Sequence, residues 1–409
     1  MAVKYTAPTR WLRYDAMAIV AELTDAKAAV LSLTSVPYQK AWAEKLQQIQ
    51  LKSEVAGTSR IEGAEFTERE LDAALSGQTP EELMTRSQKQ AKAALNTYRW
   101  ISGLVDDRPI DADLICQVHR RIVTGCDDDH CEPGALRGGD YNVTFGTPQH
   151  RGAEGGRECE AAFEGLADAV RGEFRGHDPL IRALALHYHL GAIHPFQDGN
   201  GRTARAVEAL VLQRAGLRDT LFIALSNYYY DEKLNYLAAL SDSRARGHDL
   251  TPFLKFGLRG IALQCRRLLS EINLQIKKAL FRDLANDLFG RLQSKKKRVI
   301  AARQMAILNA LLDHRGRDMG ALWKELRPIY TKLKEPARAY IRDVGSLAKI
   351  KAIDIGGMAS SEALDDHILR VRLDWPMEIT QSEFFERISK MPKAKTLDFL
   401  QKRDKRRTQ

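Results

Sequence analysis

The stretch HPFQDGNGRTAR, residues 194–205, combines a histidine, an acid, two glycines and two arginines in a loop that leads into a helical pattern. Its centre, Gly199-Asn200-Gly201, lies where that helix should begin, and the unpaired N–H groups of a helix N-terminus attract anions. Arg202 and Arg205 are three residues apart, so their guanidinium groups share one face of the helix. Two such groups beside an anion-binding turn indicate a site for more than one phosphate.

The same stretch supplies a metal ligand and a base. Asp198 offers a carboxylate oxygen of the kind that Mg²⁺ prefers, and the metal ion would be shared with the phosphates. His194 stands at the start of the loop, where an imidazole could accept the proton of an incoming hydroxyl. These residues predict a nucleoside triphosphate site with its own base, although the chain has no GxxxxGK[ST] loop.

Net charge and cysteine content indicate which partners and which cellular compartment suit this chain. The 409-residue chain has a net charge of +10, which suits polyanionic partners and also favours solubility. Its five cysteines have no regular spacing, which is typical of reduced thiols in the cytosol. We find no apolar run long enough to span a bilayer and no signal-peptide core near the N-terminus. These features predict a cytoplasmic protein without a membrane partner.

Apolar residues recur with helical spacing along most of the chain, which predicts a mainly α fold. Thr67 and Glu70 form a predicted capping box, and Thr79-Pro80 is another helix start signal. Residues 134–152 break the pattern, because they are rich in glycine and turn formers and alternate at 141–145 as a short strand does. We expect a β-hairpin there, on an otherwise helical domain.

The C-terminal region changes character after the basic run KKKR at 295–298. Helical spacing gives way to a strand-like segment, HILRVRLDW, and helices followed by strands is the order of a winged helix, a relative of the helix-turn-helix motif. A small helix bundle is the alternative. The helices are predicted at 301–313, 319–330 and 335–349, and the strand at 367–375.

These patterns predict three parts of the chain: an N-terminal helical region (1–105), a helical core (106–292) and a winged-helix-like α/β domain with a basic tail (293–409). The tail carries KRDKRR at 402–407, so DNA is a candidate partner of the last part. A DNA-binding regulator built on this domain is therefore a second functional hypothesis, beside a nucleotide-dependent enzyme.

The stretch at 194–205 matches HxFx[DE]GNGRxxR, the motif of the Fic (Fido) family, at every fixed position. LICQVHRRIV at 114–123 and TPFLKF at 251–256 resemble the same family, and the resemblance covers roughly residues 50 to 260. It implies a Fic helical core with a β-hairpin flap. It also implies a protein adenylyltransferase, which transfers AMP from ATP to a Ser, Thr or Tyr hydroxyl of a target protein or of the chain itself. A homodimer is compatible with this activity.

The resemblance implies a role for each residue of the motif. His194 would deprotonate the acceptor hydroxyl, which then attacks the α-phosphorus of ATP and displaces pyrophosphate. Asp198 would hold Mg²⁺, Arg202 would contact the β-phosphate region, and Arg205 would contact the γ-phosphate. The implied nucleotide-binding residues of the motif are Asp198, Gly199, Asn200, Gly201, Arg202 and Arg205.

The hairpin corresponds to the flap of the family, whose backbone would pair with the target as an added strand. Tyr236 occupies the first position of a tyrosine pair that lies near the adenosine, but Leu237 replaces the second tyrosine. The side chains at 228–230 are alternative adenine contacts, or core residues. Four flap residues are also expected to border the nucleotide, and they are Val143, Thr144, Phe145 and Gly146.

A second motif, TSRIEG at 58–63, resembles the inhibitory motif of the family, [ST]xxxE[GN], through Thr58, Glu62 and Gly63. The resemblance implies that Glu62 pairs with Arg205 and so withholds the arginine that should orient the γ-phosphate. A solvated helix end closed by Gly63 is the alternative. Within the family, the site could also remove AMP from a modified target, with Glu62 orienting a water molecule.

Overall fold

A computed structural model of the chain has two compact units, Met1–Ile272 and Asn273–Gln409. The division falls within a long helix, and the sequence-based boundaries after residues 105 and 292 stay predictions. The structure describes residues 3–37, 40–78, 80–104, 108–126, 131–139, 142–146, 149–217, 223–292, 295–357 and 363–389.

The first unit is mainly helical, as the sequence predicts. Its helices are α1 (Ala16–Ser35), α2 (Lys40–Ile61), α3 (Glu68–Leu75), α4 (Arg86–Ser102), α5 (Ala112–Val123), α6 (Arg157–Arg171), α7 (Pro179–Ile193), α8 (Asn200–Leu212), α9 (Leu225–Asp231), α10 (Lys233–Ala245) and α11 (Thr251–Gly290). Shorter turns are the 3-10 helices Glu81–Leu83 and Glu173–Gly176 and the π-helical turn Gln213–Leu217. None of the described helices is both long and apolar enough to cross a bilayer.

Helices α7 and α8 pack against each other and are almost entirely buried. Pro179 fixes the φ angle of the first turn of α7, and the Asp178 carboxylate accepts a hydrogen bond from the N–H of Leu180. Apolar residues surround α7 on nearly all sides, which is the pattern of a helix inside a core. The connection between the two helices, residues 194–199, is therefore held at both ends by rigid elements.

The predicted hairpin is confirmed as two short antiparallel strands, β1 (Thr144–Phe145) and β2 (His150–Arg151). Val3 bridges to β2 in the parallel direction, so the chain near the N-terminus covers one side of the hairpin. The first strand is shorter than the alternation at 141–145 predicts, because only its last two residues pair with β2. Tyr141, at the start of that alternation, lies outside the described residues.

In the second unit, the three predicted helices are present, together with a three-stranded sheet. One short strand of the sheet lies between the first two helices, and the other two strands follow the third helix. The sheet is antiparallel with strand order β3-β5-β4. The predicted strand ends at Val371, and Trp375 belongs to the next helix. The elements are the latter part of α11, α12 (Lys295–Leu312), β3 (Arg317–Asp318), α13 (Met319–Tyr330), α14 (Pro336–Lys349), β4 (Ile353–Gly357), a 3-10 turn (Leu364–Asp366), β5 (His367–Val371), α15 (Trp375–Glu378) and α16 (Gln381–Ser389).

Two helix start signals had different outcomes. The capping box of Thr67 is confirmed at the start of α3. The start predicted at Thr79-Pro80 is wrong: Thr79 lies outside the described residues, Pro80 leads into a 3-10 turn, and the next α-helix begins six residues later at Arg86. Thr85 and Gln88 form a reciprocal capping box there. Such a box satisfies two N–H donors, whereas a proline start satisfies none, so the helix begins at the better-capped position.

Candidate active site

The loop at 194–199 is anchored to the core at two points. Phe196 is 1% exposed and stacks on His119, with ring centroids 3.7 Å apart. The side-chain amide of Asn200 accepts from the backbone N–H of Phe196 at 2.9 Å and donates to its carbonyl at 2.8 Å. The loop is therefore held in place by contacts within the protein. Because this amide is used within the loop, the contact of Asn200 with phosphate stays a prediction.

His194 ends α7 with a left-handed backbone conformation, at φ 54°. Its Nδ1 lies 3.2 Å from the carbonyl oxygen of Gly191. A carbonyl can only accept, so Nδ1 carries the proton and Nε2 keeps its lone pair. Burial lowers the pKa of His194 to about 4 and outweighs the hydrogen bond to Gly191, which acts to raise the pKa. The imidazole is consequently neutral near pH 7, as a general base must be.

The flap lies directly on this imidazole. The Phe145 ring stacks on His194, with centroids 4.1 Å apart and an angle of 13° between the planes. The guanidinium of Arg244 lies 5.6 Å from the centroid of the same phenyl ring, and it donates to the carbonyls of Ala192 and Arg151. Arg244 therefore links the flap to the end of α7. Sequence reasoning missed it, because it lies outside the motif and on a different helix.

Arg137 is a second residue that sequence reasoning missed. It is 1% exposed, and its Nε donates to the carbonyl of His194 at 2.6 Å. Its Nη2 donates to the carbonyls of Ala153, at 2.6 Å, and Ile193, at 3.3 Å. These bonds fix the backbone that carries His194. No local pattern distinguishes Arg137 from its neighbours, since its partners lie far along the chain.

The N-terminus of α8 forms the floor of the site. Gly199 has φ 72°, and a Cβ at this position would lie only 2.6 Å from Val123 Cγ1, so both the backbone and the space require glycine. The Asp198 carboxylate lies 3.2 Å from Nη2 of Arg202 and 3.8 Å from Nη2 of Arg86. Arg202 is buried, so its guanidinium is held in one place beneath the loop.

Arg205, on the same face of α8, contacts the TSRIEG segment at 58–63. Its Nε donates to the Thr58 hydroxyl at 2.8 Å, and its Nη2 donates to the Glu62 carboxylate at 2.5 Å. Burial acts to lower the pKa of Arg205, but the Glu62 charge outweighs it and the pKa is raised. Burial likewise acts to raise the pKa of Glu62, but Arg205 outweighs it and the pKa is lowered. Both groups are therefore charged and form an ion pair.

Glu62 directly follows α2, and Gly63 closes that helix by donating its N–H to the Arg60 carbonyl at 3.1 Å. The Glu62 carboxylate lies over the first turn of α8, where a Cβ added to Gly201 would collide with it. This is the position at which the N–H groups of a helix N-terminus would hold a phosphate. The Glu62 carboxylate thus binds the guanidinium of Arg205 and also fills the place over the first turn of α8 where an anion would bind.

These groups surround one cleft of about 330 Å³. The Asp198 side chain is 38% exposed and faces this cleft, so a free lone pair of its carboxylate fits a Mg²⁺ ion that also binds phosphates. Of the four flap residues that the resemblance implies, Phe145 and Gly146 line the cleft. The motif residues and others that line it are Glu62, His194, Asp198, Asn200, Gly201, Arg205, Tyr236 and Leu237.

Tyr236 lies in the wall of the cleft and is 4% exposed. Its hydroxyl is 2.9 Å from Nε2 of His187, and its ring stacks on Tyr229 at 4.7 Å. Tyr229 in turn donates to the buried Glu208 carboxylate at 2.7 Å. The tyrosines at 228 and 229 are buried in the core, and the cleft wall is formed by Tyr236 and by Leu237 at the position of the second tyrosine.

Comparison with known proteins agrees with this geometry. A family model described as "Fic/DOC family" matches residues 109–212. The chain carries a Fic/DOC domain. The family resemblance inferred from the motif is therefore confirmed, and the Fic domain includes α7, α8 and the loop between them. Glu62 and Tyr236 lie outside the matched range, although the structure brings both to the Fic motif.

Curated relatives carry the name protein adenylyltransferase. The chain is 31% identical over 151 residues to protein adenylyltransferase fic-1 of Caenorhabditis briggsae. The aligned region covers 36% of this chain and 26% of that protein. It is 30% identical over 155 residues to protein adenylyltransferase Fic of Nematostella vectensis. This aligned region covers 37% of this chain and 32% of that protein. The chain therefore matches only about a quarter to a third of the length of these relatives.

Solved structures show the same fold. A Fic family protein from Desulfovibrio desulfuricans has a TM-score of 0.55 and 18% identity, with 90% of this chain and 98% of that chain covered. A fragment of Fic-1 from C. elegans has a TM-score of 0.52 and 21% identity, with 63% of this chain and 75% of that chain covered. The Fic helical core with its hairpin is thus a known architecture.

Proposed function

We propose that this Fic domain is a protein adenylyltransferase that the chain itself inhibits through Glu62. The observation that carries the proposal is the convergence of His194, Asp198 and Arg205 on one cleft, with the Glu62 carboxylate on Arg205. The names of the relatives support AMP transfer to proteins in general. ATP would be the donor, and the acceptor would be a Ser, Thr or Tyr hydroxyl of a target or of the chain itself.

In the proposed reaction, Nε2 of His194 accepts the proton of the acceptor hydroxyl. The hydroxyl oxygen forms a bond to the α-phosphorus, and the bond from that phosphorus to the bridging oxygen breaks, so pyrophosphate leaves. Arg137 keeps the backbone of the base in place through its bond to the His194 carbonyl. A Mg²⁺ ion on Asp198 would neutralise phosphate charge. The target would add as a strand to the flap, which orients the hydroxyl.

Inhibition follows from competition for one cation. A γ-phosphate needs the guanidinium of Arg205 and the N–H groups at the start of α8, and the Glu62 carboxylate lies against both. ATP then binds with its terminal phosphate displaced, so the α-phosphorus is not in line with the hydroxyl. Removal of AMP from a modified target is the alternative activity, because Glu62 is close enough to the cleft to orient a water molecule.

The test is to incubate α-labelled ATP and Mg²⁺ with cell lysate and either the wild-type protein or Glu62→Gly, and to identify labelled proteins. We expect label on a small set of proteins, including the chain itself, with more label for the variant. If neither protein transfers label, while the wild-type protein but not Glu62→Gly releases label from a pre-modified target, AMP removal is the activity. No reaction in either direction would contradict the proposal.

A second candidate function, DNA binding by the second unit, has one structural observation in its favour. Arg338, Arg342 and Lys349 are exposed at helical spacing on one face of α14. The opposite face is fixed, because the buried Asp343 carboxylate binds Nε of Arg303 on α12 at 2.7 Å. A basic face on the third helix of a winged-helix-like domain suits the phosphates and base edges of a DNA major groove. The KKKR side chains and the KRDKRR tail lie outside the described residues.

This candidate is tested with the full-length chain and a labelled DNA duplex at several salt concentrations. Arg342→Gln combined with Lys349→Gln should weaken binding and reduce the slope of log affinity against log salt by about 2. Arg69→Gln, a matched loss of an exposed charge in the first unit, should leave the affinity unchanged. Absence of binding at low salt would rule the function out.

A further inference from the structure

A second cleft in the first unit, of about 290 Å³, is lined by arginines. It shares no lining residue with the cleft around His194. Its wall is formed by the segment before α5, the end of α6, the 3-10 turn after it, the start of α7 and the end of α8. The arginines that line it are Arg108, Arg171, Arg175, Arg182 and Arg214, and none of its described lining residues is acidic.

Three of these arginines have partners within the protein. Arg171 binds the Asp168 carboxylate, and Nη2 of Arg108 lies 3.6 Å from Asp113. Nη1 of Arg214 donates to the backbone carbonyl of Arg108 at 2.7 Å. These contacts place the guanidinium groups, but the partner carboxylates are not among the residues that line the cleft.

The other two arginines have no ion-pair partner among the described residues. Arg175 is exposed at the rim, whereas Arg182, on the first turns of α7, is half-buried. The Nε of Arg182 is buried without an acceptor. Burial and then the neighbouring charge of Arg175 lower the pKa of Arg182. A partly buried cation beside a like charge is unfavourable unless an anion binds.

We propose that this arginine cleft binds a small phosphorylated ligand, at a site separate from the nucleotide site. The guanidinium group is planar and offers paired donors that match two phosphate oxygens, so Arg175 and Arg182 together suit a di- or polyphosphate group. The volume of the cleft accommodates a ligand of that size. The inference rests on these five side chains and is independent of the adenylyltransferase proposal.

The experiment is a calorimetric titration of the full-length protein with inorganic pyrophosphate at low, constant ionic strength. Arg205→Gln is the starting protein, because it disables the phosphate position of the nucleotide cleft. We expect about one pyrophosphate to bind, and the addition of Arg175→Gln and Arg182→Gln to weaken the affinity at least about tenfold. Arg69→Gln in the same starting protein removes an exposed arginine elsewhere and should have no effect.

Thermal unfolding separates ligand binding from a structural role. In phosphate-free buffer, Arg182→Gln alone should unfold at or above the wild-type temperature, because it removes a like-charge contact with Arg175. Pyrophosphate should raise the unfolding temperature of the Arg205→Gln protein and not that of Arg205→Gln combined with Arg182→Gln, by mass action on the folded state. The proposal fails if Arg182→Gln is destabilised without ligand and pyrophosphate protects both proteins equally. It also fails if polyglutamate binds to the cleft and pyrophosphate does not.

Discussion

Replacement of Glu62 by glycine is the perturbation that most directly tests the proposed inhibitory contact. Glu62 and Arg205 approach to 2.5 Å, and Arg205 is buried while the Glu62 side chain is 39% exposed. Two unit charges about 4 Å apart attract by about 4 kcal/mol at an effective dielectric constant of about 20. Exposure of Glu62 to solvent screens part of this attraction, so about 1–2 kcal/mol is a realistic value. The γ-phosphate must overcome that amount to take Arg205.

We therefore expect Glu62→Gly to raise adenylylation about 5- to 30-fold at saturating ATP and Mg²⁺, measured as transfer of labelled AMP to the chain or to a target. Glu62→Gln should give a smaller increase. Glutamine removes the negative charge but keeps a side chain over the first turn of α8. The Glu62 carboxylate lies so close to that turn that a Cβ on Gly201 would collide with it. Glu65→Gly, an equivalent change at an exposed carboxylate nearby, is the matched control and should behave as the wild type.

The double variant Glu62→Gly with Arg205→Ala decides whether the gain passes through the arginine. It should be as inactive as Arg205→Ala alone, because relief of inhibition requires the released guanidinium. The single Glu62 variant also leaves Arg205 buried without its carboxylate partner, which lowers the free energy of unfolding by a few kcal/mol. Bound ATP should restore this stability. Equal labelling by Glu62→Gly and Glu65→Gly, or full activity of the double variant, would refute the reasoning.

The remaining predictions concern the base and the residues that hold it. His194→Ala should lower transfer about 10²- to 10⁴-fold while ATP affinity, measured by calorimetry, stays near normal; near-normal labelling would remove His194 from the role of base. Because the pKa of His194 is lowered to about 4, the rate of Glu62→Gly should stay level from about pH 8 to about pH 6 and fall as the pH approaches 4 and the imidazole is protonated. A midpoint near pH 6.5 would instead indicate an unshifted histidine. Arg137→Lys should lower kcat about tenfold or more with little change in KM for ATP, because lysine lacks the fixed geometry that binds three carbonyls; unchanged kcat would show that the loop keeps its shape without Arg137.

The sequence alone determined the local chemistry of the site. The motif predicted an anion-binding helix start with a base before it, because all of these residues lie within the short stretch 194–205. Helical spacing placed Arg202 and Arg205 on one face, and the cap at Thr67 and the three helices of the C-terminal region followed from the same kind of short-range pattern. Such patterns depend on neighbours a few residues apart, which a single sequence records directly.

The tertiary structure decided which distant residues meet this motif. Arg137 reaches the His194 carbonyl across 57 residues, and Phe145 of the flap covers the imidazole. The contact of Glu62 with Arg205, across 143 residues, was implied only by the family resemblance of TSRIEG, and the structure gives its geometry. Periodicity carries no record of these contacts, because they depend on how helices and hairpin pack around α7 and α8. The lowered pKa of His194 has the same origin, since burial is a property of the packed site and not of the residues next to histidine in the chain.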